Sequence, residues 1–376
     1  MEKLSFFVFG FLMSFTSIFF DGDGKFNQVD KLVNDAIKDK AFPGAVLLVA
    51  KDGKILHKQA YGFFTYDKDA TPVTASTIYD LASVSKVIAT TTAVMICYDR
   101  KLFNLDDKVA KYIPDFASNG KENITIKNLL LHNSGLPAYK KYYDPLKTKD
   151  EILADIFSSS LEYTTGTKTV YSDLGMITVG KIIEKVSGKT LDKFCYDEIF
   201  KPLGMKNTFY NPSKKYKDRI APTELDDYWR KRLLIGEVHD ETASLLGGVA
   251  GHAGLFSTAK DIYLLLQMLL DGGTYKGKRL INKETIKFFT TRYSPESTRG
   301  IGWDTKSVEG SSAGTLYSAN SFGHTGYTGT SVWIDKDRKL ITIFLTNRVH
   351  PTRNNNKIIK VRPLLHNEII NTIEPR

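Results

Sequence analysis

One stretch of this chain constrains its structure more than any other. Ser83-Val84-Ser85-Lys86 leads into a run of apolar and small residues that carries no charge before Asp99. Such a run predicts a helix that is buried on nearly all sides. Residues three apart share a helix face, so the Ser83 hydroxyl and the Lys86 amine can meet. Because apolar surroundings disfavour a charged amine, we expect a partly neutral Lys86 that takes a proton from a nucleophilic Ser83.

Other serines match parts of this pattern, and their contexts differ. Ser118 precedes Lys121 in a polar Asn-Gly turn, where we expect a solvated and protonated lysine. Ser257 is predicted to cap the helix that follows it. Ser312 lies in a Gly-x-Ser-x-Gly sequence, but no apolar strand precedes it and no buried helix follows. For Ser83, the stretch by itself leaves one alternative open, a capping serine whose lysine extends into solvent.

The composition is that of an ordinary soluble globular protein, with 42% hydrophobic and 25% charged residues. The net charge of +10 would suit nucleic acid or an anionic cell envelope. The charges are spread along the chain, so we expect no nucleic-acid partner, whereas contact with an anionic envelope stays open. The aromatic and basic segment 139–143 is interpreted as a rim or lid beside a pocket.

No cysteine or histidine spacing indicates a metal site, and we expect neither a metal nor another cofactor. His239, Asp240 and His252 are too loosely spaced to define a site. Cys97 and Cys195 are interpreted as buried free thiols, with a disulfide as the alternative if the protein is exported. The oligomeric state is left open by the sequence.

The N-terminus has the pattern of an export signal. Lys3 is followed by an uncharged run from Leu4 to Phe20. This predicts a signal peptide over residues 1–20 and a periplasmic or extracellular protein. The run is at the short limit for a membrane span, so an uncleaved anchor is the alternative.

Secondary-structure patterns divide the rest of the chain into two kinds of segment. We predict a helix over 26–39, a β-hairpin that turns at Asp52-Gly53, helical structure over 173–200 with a stop at Gly188, a glycine-rich loop over 244–257, a helix over 259–270, an antiparallel meander over 300–304, 321–324, 331–334 and 340–346, and a last helix opened by Pro363.

These segments predict an α/β (α+β) fold, in which both chain ends build one antiparallel sheet flanked by helices. The mature domain would span 24–375, with 24–85 and about 250–375 forming the α/β part and about 86–249 an inserted helical subdomain. Ser83 would lie at the seam between the two parts, where pockets commonly form.

Two further motifs follow Ser83-x-x-Lys86 in order: Tyr171-Ser172-Asp173 before a helix, and His324-Thr325-Gly326 at a strand end. With them the chain resembles the serine β-lactamase and penicillin-binding-protein superfamily, closest to the class C β-lactamases and their esterase and D-peptidase relatives. The likeness covers roughly residues 25–375, and extends to 105–107, 132–136, 202–205 and 345–348.

The resemblance implies a role for each motif residue. Ser83 would attack the acyl carbon, and Lys86 and Tyr171 would share the proton transfers. The backbone N–H groups of Ser83 and Tyr327 would form the oxyanion hole. Substrate binding would fall to a group of residues from the other two motifs: Asp173, His324, Thr325 and Gly326.

Two departures from the family pattern bear on the substrate. Asp173 stands where the family usually has Asn, and His324 where β-lactamases and D-peptidases usually have Lys. An ionised Asp donates no hydrogen bond, and His is largely neutral at pH 7 with an ordinary pKa of about 6.5. We therefore expect an esterase or a D-amino-acid peptide hydrolase that acts on a small molecule or a cell-wall peptide. A β-lactamase proper, or a penicillin-binding sensor that is acylated without turnover, are the alternatives.

Overall fold

The computed structural model describes residues 24–375. The predicted signal segment, residues 1–20, lies outside this range. Among the helices of the described part, none has the length and apolar character needed to cross a bilayer.

Short and long strands are distributed along the described chain. They are β1 (Gly44–Lys51), β2 (Lys54–Gly62), β3 (Tyr79–Asp80), β4 (Phe209–Tyr210), β5 (Leu225–Asp226), β6 (Arg232–Leu233), β7 (Leu255–Ser257), β8 (Thr274–Tyr275), β9 (Lys278–Arg279), β10 (Asp304–Thr305), β11 (Phe322–Thr325), β12 (Ser331–Asp335) and β13 (Leu340–Thr346).

The α-helices fall mainly between β3 and β10. They are α1 (Asn27–Lys38), α2 (Thr92–Asp99), α3 (Ile126–Leu130), α4 (Lys149–Ser158), α5 (Asp173–Ser187), α6 (Leu191–Cys195), α7 (Lys201–Leu203), α8 (Glu241–Leu245), α9 (Ala259–Leu270), α10 (Lys283–Thr290) and α11 (Ile358–Ile373).

One antiparallel sheet joins the two ends of the chain, as predicted. Its strand order is β10-β11-β12-β13-β1-β2, so the N-terminal hairpin completes the C-terminal meander. The hairpin turns at Asp52 and Gly53, whose φ angles of 50° and 76° suit the left-handed turn that the Asp-Gly pair predicts. The predicted strand 300–304 is wrong in extent, since β10 comprises only Asp304 and Thr305.

Both faces of this sheet are buried. Alternate residues of β1 point to opposite faces, so Leu47 and Val49 pack with α1 and α11, whereas Val46 and Leu48 pack with the core that contains α2 and α9. A strand that is covered on both faces has a continuous run of apolar residues, which explains the sequence of β1.

The last helix begins earlier than the sequence suggests. It starts at Ile358, and Pro363 lies inside it. Pro363 lacks the N–H that would bond to the carbonyl of Ile359, which weakens the helix at that point. The helix persists because Leu365 and Ile369 are fully buried against the sheet. The stop predicted after α5 is confirmed, because Gly188 adopts a φ of 67° there.

A second, small sheet connects the Ser83 segment to the glycine-rich loop. β3 pairs antiparallel with β7, and β7 with β4. Ser83 follows β3 directly, and β7 follows the loop 246–254, so this sheet brings the loop beside the predicted nucleophile.

Candidate active site

The turn before Ser83 is held tightly in place. Ala82 has a φ of 46°, which is unusual for a residue with a Cβ, and its N–H donates to the Asp80 carboxylate at 2.8 Å. The other oxygen of Asp80 accepts from the His239 N–H at 2.7 Å. Because Asp80 is buried, desolvation raises its pKa despite these two hydrogen bonds. The backbone that presents Ser83 is therefore fixed by contacts from a distant part of the chain.

The segment after β11 is bonded directly to this turn. Thr330 Oγ1 donates to the Leu81 carbonyl at 2.9 Å, and Thr328 Oγ1 donates to the Asp80 carbonyl at 2.8 Å. Gly326 approaches so closely that a Cβ there would lie 2.4 Å from the Leu81 oxygen. The glycine of the third motif is thus required by backbone contact with the first motif.

The helix that follows Ser83 is buried as predicted, but it is not a regular α-helix. Lys86–Thr91 form a π-helical turn that continues into α2. The Thr92 hydroxyl donates to the Val87 carbonyl at 2.8 Å inside this turn. π-helical turns occur often at functional sites, where they change the direction of side chains.

Lys86 contacts both the predicted nucleophile and the glycine-rich loop. Its Nζ donates to Ser83 Oγ and to the His252 carbonyl, each at 2.9 Å. The loop can come this close because residue 251 is a glycine that packs on α5. A Cβ on Gly251 would lie 2.0 Å from the Met176 carbonyl oxygen, so a larger residue would not fit. The glycine-rich loop therefore supplies a hydrogen-bond acceptor for the lysine.

The charge state of Lys86 differs from the sequence-based expectation. Nζ lies 2.7 Å from Asp173 Oδ1. Burial disfavours the ammonium form, but the Asp173 carboxylate and Tyr171 outweigh it, so the pKa of Lys86 is raised. The expectation of a partly neutral amine is wrong, because it considered only the apolar helix around Lys86 and not the carboxylate that packs against it.

Tyr171 lies between the lysine and two histidines. Its ring centroid is 4.8 Å from Lys86 Nζ, 4.6 Å from the ring of His132 and 5.8 Å from that of His324. Burial raises the pKa of Tyr171, although the Lys86 ammonium acts in the opposite direction. The phenol is therefore protonated at neutral pH. His132 lies in the segment 132–136 that resembles the family, but no sequence pattern predicts its packing on Tyr171.

His324 is neutral in this structure. Its Nδ1 bonds to the Thr325 carbonyl at 2.7 Å, which requires a proton on Nδ1, and Nε2 has no partner among the described residues. Burial, together with the positive charges of Arg299 and Lys86, holds its pKa well below 6.5. The expectation that His324 would titrate near pH 6.5 is therefore wrong.

The predicted site residues line one cavity of about 400 Å³, apart from Lys86 and Asp173, which are not among its lining residues. Its wall includes Ser83, Tyr171, His324, Thr325, Gly326 and Tyr327. The backbone N–H groups of Ser83 and Tyr327 make no hydrogen bond to the rest of the described chain. Both remain available to a developing oxyanion, the role that the family resemblance implies.

Three arginines to which the sequence assigned no role also line this cavity: Arg299, Arg362 and Arg348, the last of which lies in the segment 345–348 that resembles the family. The Arg299 guanidinium lies 5.2 Å from the Tyr171 ring centroid, and the only carboxylate within 4.0 Å of it in the described chain is that of Asp304, at 3.9 Å. Arg362 is buried and donates to the Gly326 and Thr330 carbonyls. Burial lowers the pKa of Arg362 to about 9. The cavity is therefore positively charged, although His324 contributes no charge.

A larger cavity of about 710 Å³ lies at the opposite end of β11, beside Phe322, Arg279 and Lys336. It contains none of the predicted site residues. Among residues 24–375, no three side chains are arranged to hold a metal ion. Cys97 and Cys195 are both buried and free, as expected.

The other serines are not activated in the structure. Lys121 is buried rather than solvated, a correction to the expectation, and its Nζ donates to the Ser118 and Ser159 carbonyls at 2.7 and 2.5 Å. The amine thus binds backbone oxygens and not the Ser118 hydroxyl. Thr258, not Ser257, caps α9. Within residues 24–375, the one hydrogen bond of Ser312 Oγ comes from the indole of Trp333, at 3.2 Å.

Comparison with known proteins places this site in context. Residues 29–364 match the family model described as Beta-lactamase. The chain is 36% identical over 363 residues to the "Putative D-alanyl-D-alanine carboxypeptidase" of Escherichia coli K12, covering 87% of this chain and 83% of that protein. It is 37% identical over 361 residues to the "N-acetylmuramyl-L-alanine amidase" of Bacillus subtilis 168, covering 87% of this chain and 81% of that protein.

Among solved structures, the fold is similar to that of a penicillin-binding protein homologue from Caulobacter crescentus. The TM-score is 0.73 at 20% sequence identity, over 93% of this chain and 98% of the other. At this identity the likeness concerns the fold alone.

Proposed function

The chain belongs to the Beta-lactamase family, and we propose that it hydrolyses an amide bond of cell-wall peptides through an acyl-enzyme on Ser83, as a D-alanyl-D-alanine carboxypeptidase would. One observation carries the proposal: Ser83 Oγ accepts a 2.9 Å hydrogen bond from Lys86 at the edge of a cavity that bears three arginines. Such a cavity suits a substrate with a carboxylate beside the reacting bond.

The proton transfers follow from the contacts of Lys86. During acylation Oγ bonds to the acyl carbon, and the C–N bond breaks. The Ser83 proton enters the group formed by Lys86, Asp173 and Tyr171, and this group returns a proton to the departing amine. Water then attacks the acyl carbon and loses a proton to the same group, and the Ser83 hydroxyl is restored as the acid leaves. The Asp173 carboxylate can accept a proton from the charged Lys86.

Arg299 is the cation best suited to take the part that Lys plays in relatives with a Lys-Thr-Gly motif. Its guanidinium flanks Tyr171, and its contact with Asp304 is long. A C-terminal carboxylate could accept two hydrogen bonds from it. This supports a peptide with a free C-terminus over a simple ester.

A second candidate is cleavage between an N-acetylmuramyl group and L-alanine, the activity named for the Bacillus subtilis relative. The same acyl-enzyme chemistry would serve it. Exposed aromatic residues favour this candidate, among them Tyr327, which lines the cavity, and Tyr139, which directly follows the segment bonded to Ser172 and Asp173. We further propose that the protein is exported, which the Lys3 and Leu4-to-Phe20 pattern supports.

The experiment compares three substrates: a peptide that ends in D-Ala-D-Ala, the same peptide with an amidated C-terminus, and a neutral p-nitrophenyl ester. We expect release of D-alanine from the first, with an acyl adduct on Ser83 detected by mass spectrometry. Ser83→Ala should lose the adduct and Ser312→Ala should keep it. An adduct that never turns over would support the sensor alternative, and no adduct at Ser83 would contradict the proposal.

The role of Arg299 is tested with the same substrates. Arg299→Gln should lower kcat/KM for the free carboxylate about ten- to a hundredfold, the usual value of a charged hydrogen bond. Hydrolysis of the neutral ester should change little. Arg279→Gln, in the cavity at the opposite end of β11, is the matched control and should leave both rates unchanged.

A further inference from the structure

Five aromatic side chains, which we call the aromatic rim, form a surface that reaches the active-site cavity at Tyr327. They are Tyr139, Tyr143, Tyr228, Trp229 and Tyr327. Within it, the Tyr143 ring centroid lies 5.7 Å from that of Tyr228 and 5.6 Å from that of Trp229. Tyr139, Tyr228 and Tyr327 are 44%, 38% and 49% exposed. Such exposure of neighbouring aromatic residues commonly marks a binding surface.

Tyr327 connects the rim to the active-site cavity. Tyr327 lines the cavity, and its ring stacks on His239 at 5.7 Å. His239 Nε2 bonds to Glu224 at 3.0 Å, and Glu224 accepts from Arg353 at 2.6 Å. Arg353 in turn bonds to the hydroxyl of Tyr228. An unbroken series of contacts therefore leads from Tyr327 to the middle of the rim.

The other end is fixed to the start of α5. The Pro137 carbonyl accepts from Ser172 Oγ at 2.7 Å, and the Ala138 carbonyl accepts from the Asp173 N–H at 2.9 Å. Tyr139 follows directly and is thus held beside Asp173. The backbone before Tyr139 is therefore tied to the second motif, whereas Tyr327 directly follows the third motif. The interpretation of residues 139–143 as a rim or lid beside a pocket stays a prediction.

The rim combines apolar rings with charged groups. Tyr228 bonds to Glu241 as well as to Arg353, and the Arg353 guanidinium lies 4.6 Å from the Tyr228 ring centroid. A sugar ring offers C–H faces that pack on aromatic rings and hydroxyl and acetamido groups that bond to side chains of this kind. The rim therefore offers both kinds of contact that a sugar ring can make.

We propose that the aromatic rim binds the N-acetylated sugar of a muramyl peptide whose amide bond lies at Ser83. This inference rests on the proposed function for the identity of the cleaved bond, but sugar binding itself needs no catalysis. Of the three tryptophans, Trp303 and Trp333 are buried and only Trp229 is partly exposed, so tryptophan emission reports on the rim.

The experiment titrates N-acetylmuramic acid into the full-length protein and follows tryptophan emission and calorimetric heat. We expect a saturable change, and a loss of affinity of about three- to tenfold in Tyr139→Ala and in Tyr228→Ala. Trp229→Phe should remove the optical signal while calorimetry still detects the sugar. Tyr196→Ala is the matched control, since Tyr196 is 52% exposed but lines a separate cavity with Phe200.

Three results would overturn the inference. The first is no saturable binding of the sugar to the unaltered protein, and the second is an affinity in the rim variants equal to that of the unaltered protein. The third is binding of L-Ala-D-Glu, which has no sugar, that Tyr228→Ala weakens as much as it weakens binding of the sugar. The two proposals remain separable. Sugar binding without hydrolysis would contradict the proposed function alone, and hydrolysis of sugar-free peptides without sugar binding would contradict the rim alone.

Discussion

Asp173 Oδ1 and Lys86 Nζ lie 2.7 Å apart, so the residue that replaces the family's usual asparagine is an anion in contact with the lysine beside Ser83. Asp173 was predicted to contact substrate. Its carboxylate contacts Lys86, its side chain is 21% exposed and it is not among the residues that line the cavity, so contact with substrate stays a prediction. The pair also explains how a buried lysine keeps its charge.

Replacement of this carboxylate should change the pH dependence of acylation. Asp173 raises the pKa of Lys86, so in Asp173→Asn the burial of the lysine is no longer offset and its pKa should fall. If acylation requires a neutral Lys86, the rise of kcat/KM with pH should move to lower pH. Profiles measured with a neutral p-nitrophenyl ester test this shift.

Asp106→Asn provides the control for that variant. Asp106 pairs with Lys127, and both lie outside the active-site cavity. Its profile should coincide with that of the unaltered protein. A profile of Asp173→Asn that also coincides would show that Lys86 does not set the pH dependence.

His324 should not gain charge over the range in which assays are usually run. Its pKa lies well below 6.5 because of burial and the nearby Arg299, so it stays neutral at pH 6.5 and above. KM for a carboxylate-bearing substrate should therefore show the same pH dependence in the unaltered protein and in His324→Gln. A KM that falls below pH 6.5 only when His324 is present would contradict this assignment.

His366 should make the folded protein less stable in mild acid. It is fully buried, and burial lowers its pKa to about 4. Between that value and the ordinary pKa of about 6.5, the unfolded chain binds more protons than the native one, so the free energy of unfolding falls as the pH falls. At pH 5 this single group should cost roughly 2 kcal/mol.

Urea unfolding at pH 7 and pH 5 tests this expectation. In His366→Gln, the free energy of unfolding should fall less between pH 7 and pH 5 than in the unaltered protein, by roughly 2 kcal/mol, because glutamine does not titrate. His132 and His324 also have lowered pKa values and remain in both proteins. Equal losses in the two proteins would show that His366 does not contribute.

Export is expected from the N-terminal pattern, which lies outside the described residues. N-terminal sequencing of mature material should find a start between about residues 18 and 25. Lys3→Glu should slow export, because the positive charge before the apolar run is part of the signal. Protein that is found intact in the cytosol would contradict the prediction.

The sequence by itself predicted those features that depend on neighbouring residues. The helix over 259–270 agrees with α9 residue for residue, because its apolar period is a local property, although Thr258 caps it and not Ser257. The Asp52-Gly53 turn likewise needs only two residues that tolerate positive φ. Ser83, Lys86 and Tyr171 were found because their motifs are short and ordered, and the resemblance to a known family connected them.

The tertiary structure decided the features that depend on residues far apart in the chain. Lys86 and His252, 166 positions apart, meet only in the folded state. The charge of Lys86, the neutrality of His324 and the burial of Lys121 each depend on desolvation and on partners from other segments. Arg299 belongs to no motif, so no sequence signal marks it. Period and turn chemistry specify where helices and strands form, whereas protonation and pocket charge follow from three-dimensional packing, which no local pattern encodes.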